Sequence, residues 1–263
     1  PFDMHIVHTL PDLRTALEAG QLSVVYQPIV NMLSGRVCKA EALLRWHHPE
    51  LGAISPAQFI PVAETSGQIL ALGDWVFTQA AHQVRHWCSV LDAEFQVSVN
   101  KSPVQCHRSP ALSSRWVDEL AQMGLPCSSL CIEITEGLLL DTHPDVTRHL
   151  GELRAAGMTV SLDDFGTGYS SLTYLQKLDI DCLKIDQSFV RNLSPGSTDL
   201  TLCKAIIAMA HELGMQVVAE GVETEQQHQL LMEAGCDHGQ GYWYGRSMPP
   251  AQFEAWVRAR QPL

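Results

Sequence analysis

Met158-Thr159-Val160-Ser161-Leu162-Asp163-Asp164 is a short, mostly apolar run that reads as a strand and ends in two adjacent acids. A helical stretch, Asp145 to Ala156, precedes it and is closed by Gly157. The same pattern recurs along the chain. Val37 to Trp46 carries Glu41, Phe95 to Val99 ends at Asn100, Leu130 to Ile134 carries Glu133, and Gln216 to Ala219 ends in Glu220. Polar groups so far apart in sequence meet only if the fold gathers strand ends into a ring, as a closed parallel barrel does.

The remaining segments extend this alternation. Asp12 to Ala19 predicts a short helix ended by Gly20, and Leu22 to Val30 a first strand. The link from Asn31 to Arg36 is too short for a crossover helix, so the first two strands are expected to be antiparallel neighbours. Ser55-Pro56 is a helix start, with a cap residue before proline at the first helical position. From Ile69 to Trp87, the residues Leu72, Val76, Ala80 and Val84 form one apolar stripe. Further helices are expected at Pro110 to Met123, Leu200 to Leu213, Glu225 to Ala234 and Ala251 to Arg260. Cys182 to Ile185 is a strand carrying Lys184, and a last short strand end falls at Asp237 to Gly241. The expectation is an α/β fold, a TIM-like (β/α)8 barrel with an antiparallel first strand. An open doubly wound sheet competes, but it binds at one crevice and does not need polar residues at nearly every strand end. Residues 1–20 are expected to be a lead-in helix at the end of a linker from a longer protein, and residues 21–263 the barrel.

The chain has 263 residues, a formal net charge of -12 and 46% hydrophobic residues. That charge argues against a broad surface for a DNA or RNA polymer. A small anionic ligand remains compatible, because bound cations reverse the local field. The eight cysteines form no CxxC pair, which points to a reducing, cytoplasmic compartment. No run reaches the roughly 18 apolar residues of a membrane span. The first residue is Pro1 rather than Met, consistent with a segment of a longer protein that is compatible with anchoring in the inner membrane.

A ring of Glu41, Glu133, Asp163, Asp164 and Glu220 would repel itself strongly unless compensated. Hard divalent cations solve that problem, and Asn100 adds a neutral carbonyl oxygen. Paired cations suit phosphate ester hydrolysis. Lys184, flanked by Leu183 and Ile185, is expected to position a water, take its proton or balance charge; a structural ion pair is its alternative. The segment from Asp163 to Ser171 is a glycine-hinged loop able to move over a site. Glu223 is placed to bind Thr167, Ser170 or backbone amides and hold that loop; a helix N-terminal acid is its alternative. Gln240 can add an amide oxygen at the last strand end, and Arg45 returns to the face of Glu41, where a guanidinium suits a phosphate. The histidines show no triad or zinc spacing.

Taken in order, Tyr26-Gln27-Pro28-Ile29-Val30, Glu41-Ala42-Leu43-Leu44-Arg45, Ser98-Val99-Asn100 and Glu133-Ile134-Thr135-Glu136 are followed by Asp163-Asp164-Phe165-Gly166-Thr167-Gly168. Leu183-Lys184-Ile185-Asp186, Ala219-Glu220-Gly221-Val222-Glu223 and Gln240-Gly241-Tyr242 complete the set. The chain resembles the EAL domain phosphodiesterases, which hydrolyse cyclic di-GMP, over nearly its whole length. The resemblance implies metal binding by Glu41, Asn100, Glu133, Asp163 and Asp164, with Glu220, Gln240 and Lys184 completing the centre. It implies substrate contacts from Gln27 and Arg45, with Asp186 near the second metal, and a loop braced by Glu223. It further implies attack of activated water on one phosphodiester to give linear pGpG, support by Mg²⁺ or Mn²⁺, inhibition by Ca²⁺, homodimers, and fusion to GGDEF, PAS or other sensor domains. The stretch Phe2 to Leu10 would be the end of such a connection. Lys101 stands where an apolar residue is common, and Asp179 and Ser247 where proline is frequent. The competing readings are a catalytically silent receptor for the same nucleotide, a structural adaptor with a dry barrel mouth, and a generic metallophosphatase.

Overall fold

The computed structural model describes residues 13, 15–108, 112–139, 144–166, 168, 175 and 179–260. Its strands are β1 (Leu22–Asn31), β2 (Val37–His48), β3 (Gly52–Ile54), β4 (Gln96–Asn100), β5 (Leu130–Thr135), β6 (Thr159–Phe165), β7 (Cys182–Ile185), β8 (Gln216–Ala219) and β9 (His238–Gln240). The pairing order β1-β9-β8-β7-β6-β5-β4-β2 closes through a β1–β2 pairing, and β3 hangs on β2 outside the ring. β1 is antiparallel to both its neighbours, whereas the steps from β2 through β4 to β9 are parallel. The expected barrel with its antiparallel first strand is therefore present. The Asn31–Arg36 link is closed by the Asn31 side chain, which accepts from Ser34 N at 2.9 Å.

Strand positions match the sequence reading to within a few residues, with differences that have local causes. β2 runs on to His48 because the β3 hairpin pairs with its end, Trp46 opposite Ile54 and His48 opposite Gly52. β6 continues through both aspartates to Phe165. Short helices at Pro103–Arg108, Glu136–Leu139 and Gln187–Arg191 were not expected from sequence, being too brief to show a helical period. Of the expected first helix, residues 13, 15 and 16 are described and helical, and Leu13 and Ala16 are buried with Leu22, Trp46 and Phe59; Asp12 lies outside the described residues.

The core lies between barrel and helices. Leu72, Val76, Ala80 and Val84 of the Ile69–Val90 helix are all buried, as their spacing requires. Trp87, on the same helix, stacks on Phe253 of the Pro250–Arg260 helix at 4.5 Å and meets Tyr26 of β1 edge-on at 4.8 Å. Inside the barrel, Ile29, Cys182 and Val218 form a small separate apolar cluster. They stand two residues along β1, β7 and β8 from Gln27, Lys184 and Glu220, so they share a face with them and floor the polar layer above. All eight cysteines are unpaired. Among the described residues, no helix is long and apolar enough to cross a membrane.

Candidate functional site

Strand register decides which side chains meet. β2 pairs with β4 with Glu41 opposite Ser98, β5 pairs with β4 with Glu133 opposite Asn100, and β7 pairs with β8 with Lys184 opposite Val218. The inward-facing residues at the carboxyl ends of the strands therefore form one layer. Lys184 occupies its centre. Its Nζ lies 2.7 Å from Glu220 Oε1, 2.9 Å from Glu133 Oε2, 3.2 Å from Asp163 Oδ1 and 3.4 Å from Glu41 Oε2. Asn100 Nδ2 donates to Glu41 Oε1 at 2.7 Å, and Gln240 Nε2 donates to Glu41 Oε2 at 2.6 Å.

The electrostatics follow from burial and neighbours. Burial alone would push Glu41 up, but Lys184 and the hydrogen bonds from Gln240 and Asn100 outweigh it and hold its carboxyl below the usual range. Glu133 is driven well above that range by burial, and the charges of Glu41 and Asp163 add to the effect. Burial likewise lifts Glu220 to about 7, against the pull of Lys184. Asp164 is raised by burial and by Asp163 and Asp186. Burial opposes the charge on Lys184, yet Glu133, Glu220, Glu41 and Asp163 together keep it firmly protonated. An ammonium so held balances charge and donates hydrogen bonds to the carboxylates around it. Of the roles that the sequence left open for Lys184, charge balance is the one these four contacts display directly.

Asp163 and Asp164 depend on a backbone irregularity. The β6–β7 register shifts between Leu162 and Phe165, and Asp164 sits at φ 56°, in the left-handed region unusual for a residue other than glycine. Neighbouring strand residues ordinarily point to opposite faces. A bulge re-aims them. One oxygen from each of Asp163, Asp164 and Glu220 can lie within 4.8 Å of the other two, a spacing that suits a cation. The donors are all oxygens, their negative charge exceeds the single Lys184 ammonium, and Gln240 Oε1 is buried with no hydrogen-bond partner among the described residues. This donor chemistry fits a hard divalent ion. Glu41, Asn100, Glu133, Asp163, Asp164, Glu220 and Gln240 are the residues able to hold it.

The other expected positions are more varied. Gln27 reaches Gln240 through its Oε1 at 3.3 Å and donates from Nε2 to the Gly245 carbonyl at 3.3 Å. Arg45 lies at the mouth and has no carboxylate ion pair among the described residues; burial lowers its pKa. Asp186 is buried beside Asp164, and its Oδ1 accepts from Ser188 N at 3.0 Å, capping the short Gln187–Arg191 helix. Glu223 is exposed. Thr167 and Ser170 lie outside the described residues, so its expected contacts to them do too. For the described part of the loop, the brace is Glu136, whose Oε2 accepts from Gly166 N at 3.1 Å and Gly168 N at 3.2 Å. β5 lies beside β6, so a residue just past β5 reaches the loop leaving β6, whereas Glu223 follows β8, two strands from β6. Glu136 was quoted within a motif but given no role, because acceptance from backbone amides leaves no mark in sequence.

Two clefts open at the mouth. One, of about 270 Å³, is lined by Gln27, Glu41, Glu220, Glu223 and Tyr242. The other, of about 290 Å³, has apolar walls from Pro56, Ile60 and Leu72, with Arg45 and Glu64 among its polar groups. Both are bordered by Leu43.

The model of the EAL domain matches residues 11–247. The bifunctional diguanylate cyclase/cyclic di-GMP phosphodiesterase MucR of Pseudomonas aeruginosa is 42% identical over 248 residues, covering 94% of this chain and 36% of its own. The cyclic di-GMP phosphodiesterase NbdA of the same organism is 41% identical over 252 residues, covering 94% of this chain and 32% of its own. The chain thus spans about a third of the length of the curated relatives it matches. Among solved structures, the PaMucR phosphodiesterase in complex with c-di-GMP superposes with a TM-score of 0.87 at 40% identity, covering 95% of this chain and 99% of that one. The EAL enzyme Bd1971 superposes with a TM-score of 0.90 at 29% identity, covering 97% of this chain and 70% of that one in its cGMP-bound form.

Proposed function

The chain belongs to the EAL domain family, and from that premise we propose that it hydrolyses one phosphodiester of cyclic di-GMP to linear pGpG with the help of divalent cations. The observation that carries this reading is the convergence of Glu41, Asn100, Glu133, Asp163, Asp164 and Glu220 around Lys184 at one barrel mouth. The similarity to MucR, NbdA and the c-di-GMP-bound PaMucR structure supports the choice of substrate.

When bound, two Mg²⁺ or Mn²⁺ ions supply Lewis-acid stabilisation of phosphate charge and make water more acidic. The protein's own residues hold that chemistry in place. Lys184 draws four acidic side chains to a common centre. Asn100 and Gln240 fix the carboxylate of Glu41 from its two oxygens. Arg45 offers guanidinium donors to a phosphate oxygen, and Gln27 a carboxamide beside it. The apolar cleft beside Arg45 has the character to receive the face of a purine. Ca²⁺ is expected to inhibit, because it takes more ligands at longer distances than Mg²⁺. In the same reading, residues 21–263 are the catalytic barrel, residues 1–20 lead in from an upstream sensor domain such as GGDEF or PAS, the barrel works as a homodimer, and it faces the cytoplasm.

The test is incubation of the purified chain with cyclic di-GMP and Mg²⁺ or Mn²⁺, with pGpG followed by chromatography. Metal-dependent pGpG is the expected result. Tight nucleotide binding without turnover in either metal would instead make the chain a receptor.

A further inference from the structure

The segment after β9 is fastened onto β1. Tyr26 N donates to Met248 O at 2.8 Å, and Met248 N donates to Tyr26 O at 2.9 Å. A side chain on Gly245 would meet Pro28 Cγ at 2.9 Å, so the backbone there is pressed against β1. Two neighbouring groups of this fastened segment reach the residues read as substrate contacts. The Gly245 carbonyl accepts from Gln27 Nε2 at 3.3 Å, and Ser247 Oγ accepts from Arg45 Nη2 at 3.2 Å. Arg45 Nη1 donates in turn to the Leu44 carbonyl at 3.0 Å. The guanidinium plane is thus held at two points by neutral acceptors. Neutral acceptors orient an arginine without cancelling its charge, which leaves that charge for an anion.

We infer that Ser247 is a positioning residue: its hydroxyl holds the Arg45 guanidinium in the orientation that receives a phosphate of the substrate. This rests on the reading of Arg45 as a substrate contact. Proline at this position would have no side-chain acceptor for Arg45. The adjacent Met248 pairs with Tyr26 whatever stands at position 247, because those bonds are backbone to backbone.

The experiment measures KM and kcat for cyclic di-GMP in Mg²⁺ for Ser247→Ala, Ser247→Thr, Arg45→Ala and the Ser247→Ala/Arg45→Ala double variant, with thermal midpoints recorded for each. Losing the bond is expected to raise KM about fivefold in Ser247→Ala, with kcat within about twofold and the midpoint unchanged. Ser247→Thr, which keeps the hydroxyl, restores KM. The double variant has the KM of Arg45→Ala alone, because Ser247 acts only through that side chain. If Arg45→Ala raises KM and Ser247→Ala does not, the positioning role is wrong and the reading of Arg45 stands. If Arg45→Ala leaves KM unchanged, both fail. Additive effects in the double variant, or a Ser247→Ala loss confined to the thermal midpoint, also overturn the proposal.

Discussion

Lys184 Nζ lies 2.9 Å from Glu133 Oε2, and each of these side chains is only 1% exposed. A charge pair this deep is retained only while both members are present, because either one alone is an uncompensated ion in a poorly solvating interior. Here the lysine also serves Glu41, Asp163 and Glu220. In the presence of EDTA, Lys184→Met is expected to lose about 3 kcal/mol of unfolding free energy, read from urea titrations. Added Mg²⁺ should recover part of the loss, since an ion that binds only the folded barrel stabilises it. An unchanged urea midpoint in EDTA would contradict the assignment.

Glu41 accepts from Asn100, Gln240 and Lys184 at once. Glu41→Ala should therefore remove a cation ligand and release two amides and part of the ammonium's support. A fall in turnover of about 10³-fold is expected, the scale found when a preorganised electrostatic group is deleted. Calorimetric titration with Mn²⁺ should show weakened binding in the same variant. Wild-type turnover would reject the role given to this residue.

Glu136 holds the amides of Gly166 and Gly168 from a position that is itself buried. Replacing it with alanine leaves both donors without that acceptor, at about 1–3 kcal/mol of local stability. Hydrogen exchange should accelerate at the amides of Gly166 and Gly168 and stay slow in β5. Glu136→Gln, which keeps an acceptor and loses the charge, should fall between the two. Equal exchange in all three proteins would show that the loop is held elsewhere.

His149 provides a pH dependence that does not involve the acidic cluster around Lys184. Burial, with help from Lys101 and Arg148, pushes its pKa from 6.5 down to about 3. Between those values the unfolded chain binds the proton and the folded chain does not, so this residue's contribution to stability is lost as the pH falls. The urea midpoint should therefore drop on acidification below about 6.5, and in His149→Gln it should drop less. Parallel curves for the two proteins would remove His149 as the cause.

Much of the site was legible because each acid's position relative to its own strand is a local property. Alternation along a strand and an apolar run ending in a polar residue are sufficient to nominate Glu41, Glu133, Asp163 and Glu220. The short link before Val37 was sufficient to pair β1 with β2 in antiparallel sense, as found. Less was legible where a role depends on an acceptor for backbone amides. Nothing in the sequence distinguishes Glu136 from Glu223 as the carboxylate beside the loop; the adjacency of β5 to β6 does.

By itself, the sequence determined the alternation of strands and helices, the antiparallel start, and the kind of atom gathered at the barrel mouth. Those follow from periodicity, turn length and residue chemistry within a few neighbours of each position. The tertiary structure alone decided that Lys184 meets four acidic side chains, that a bulge at Asp164 turns two consecutive aspartates toward one place, and that Ser247 reaches Arg45. Each of these is a distance between segments far apart in the chain, set by strand register and ring closure, and no local propensity encodes it.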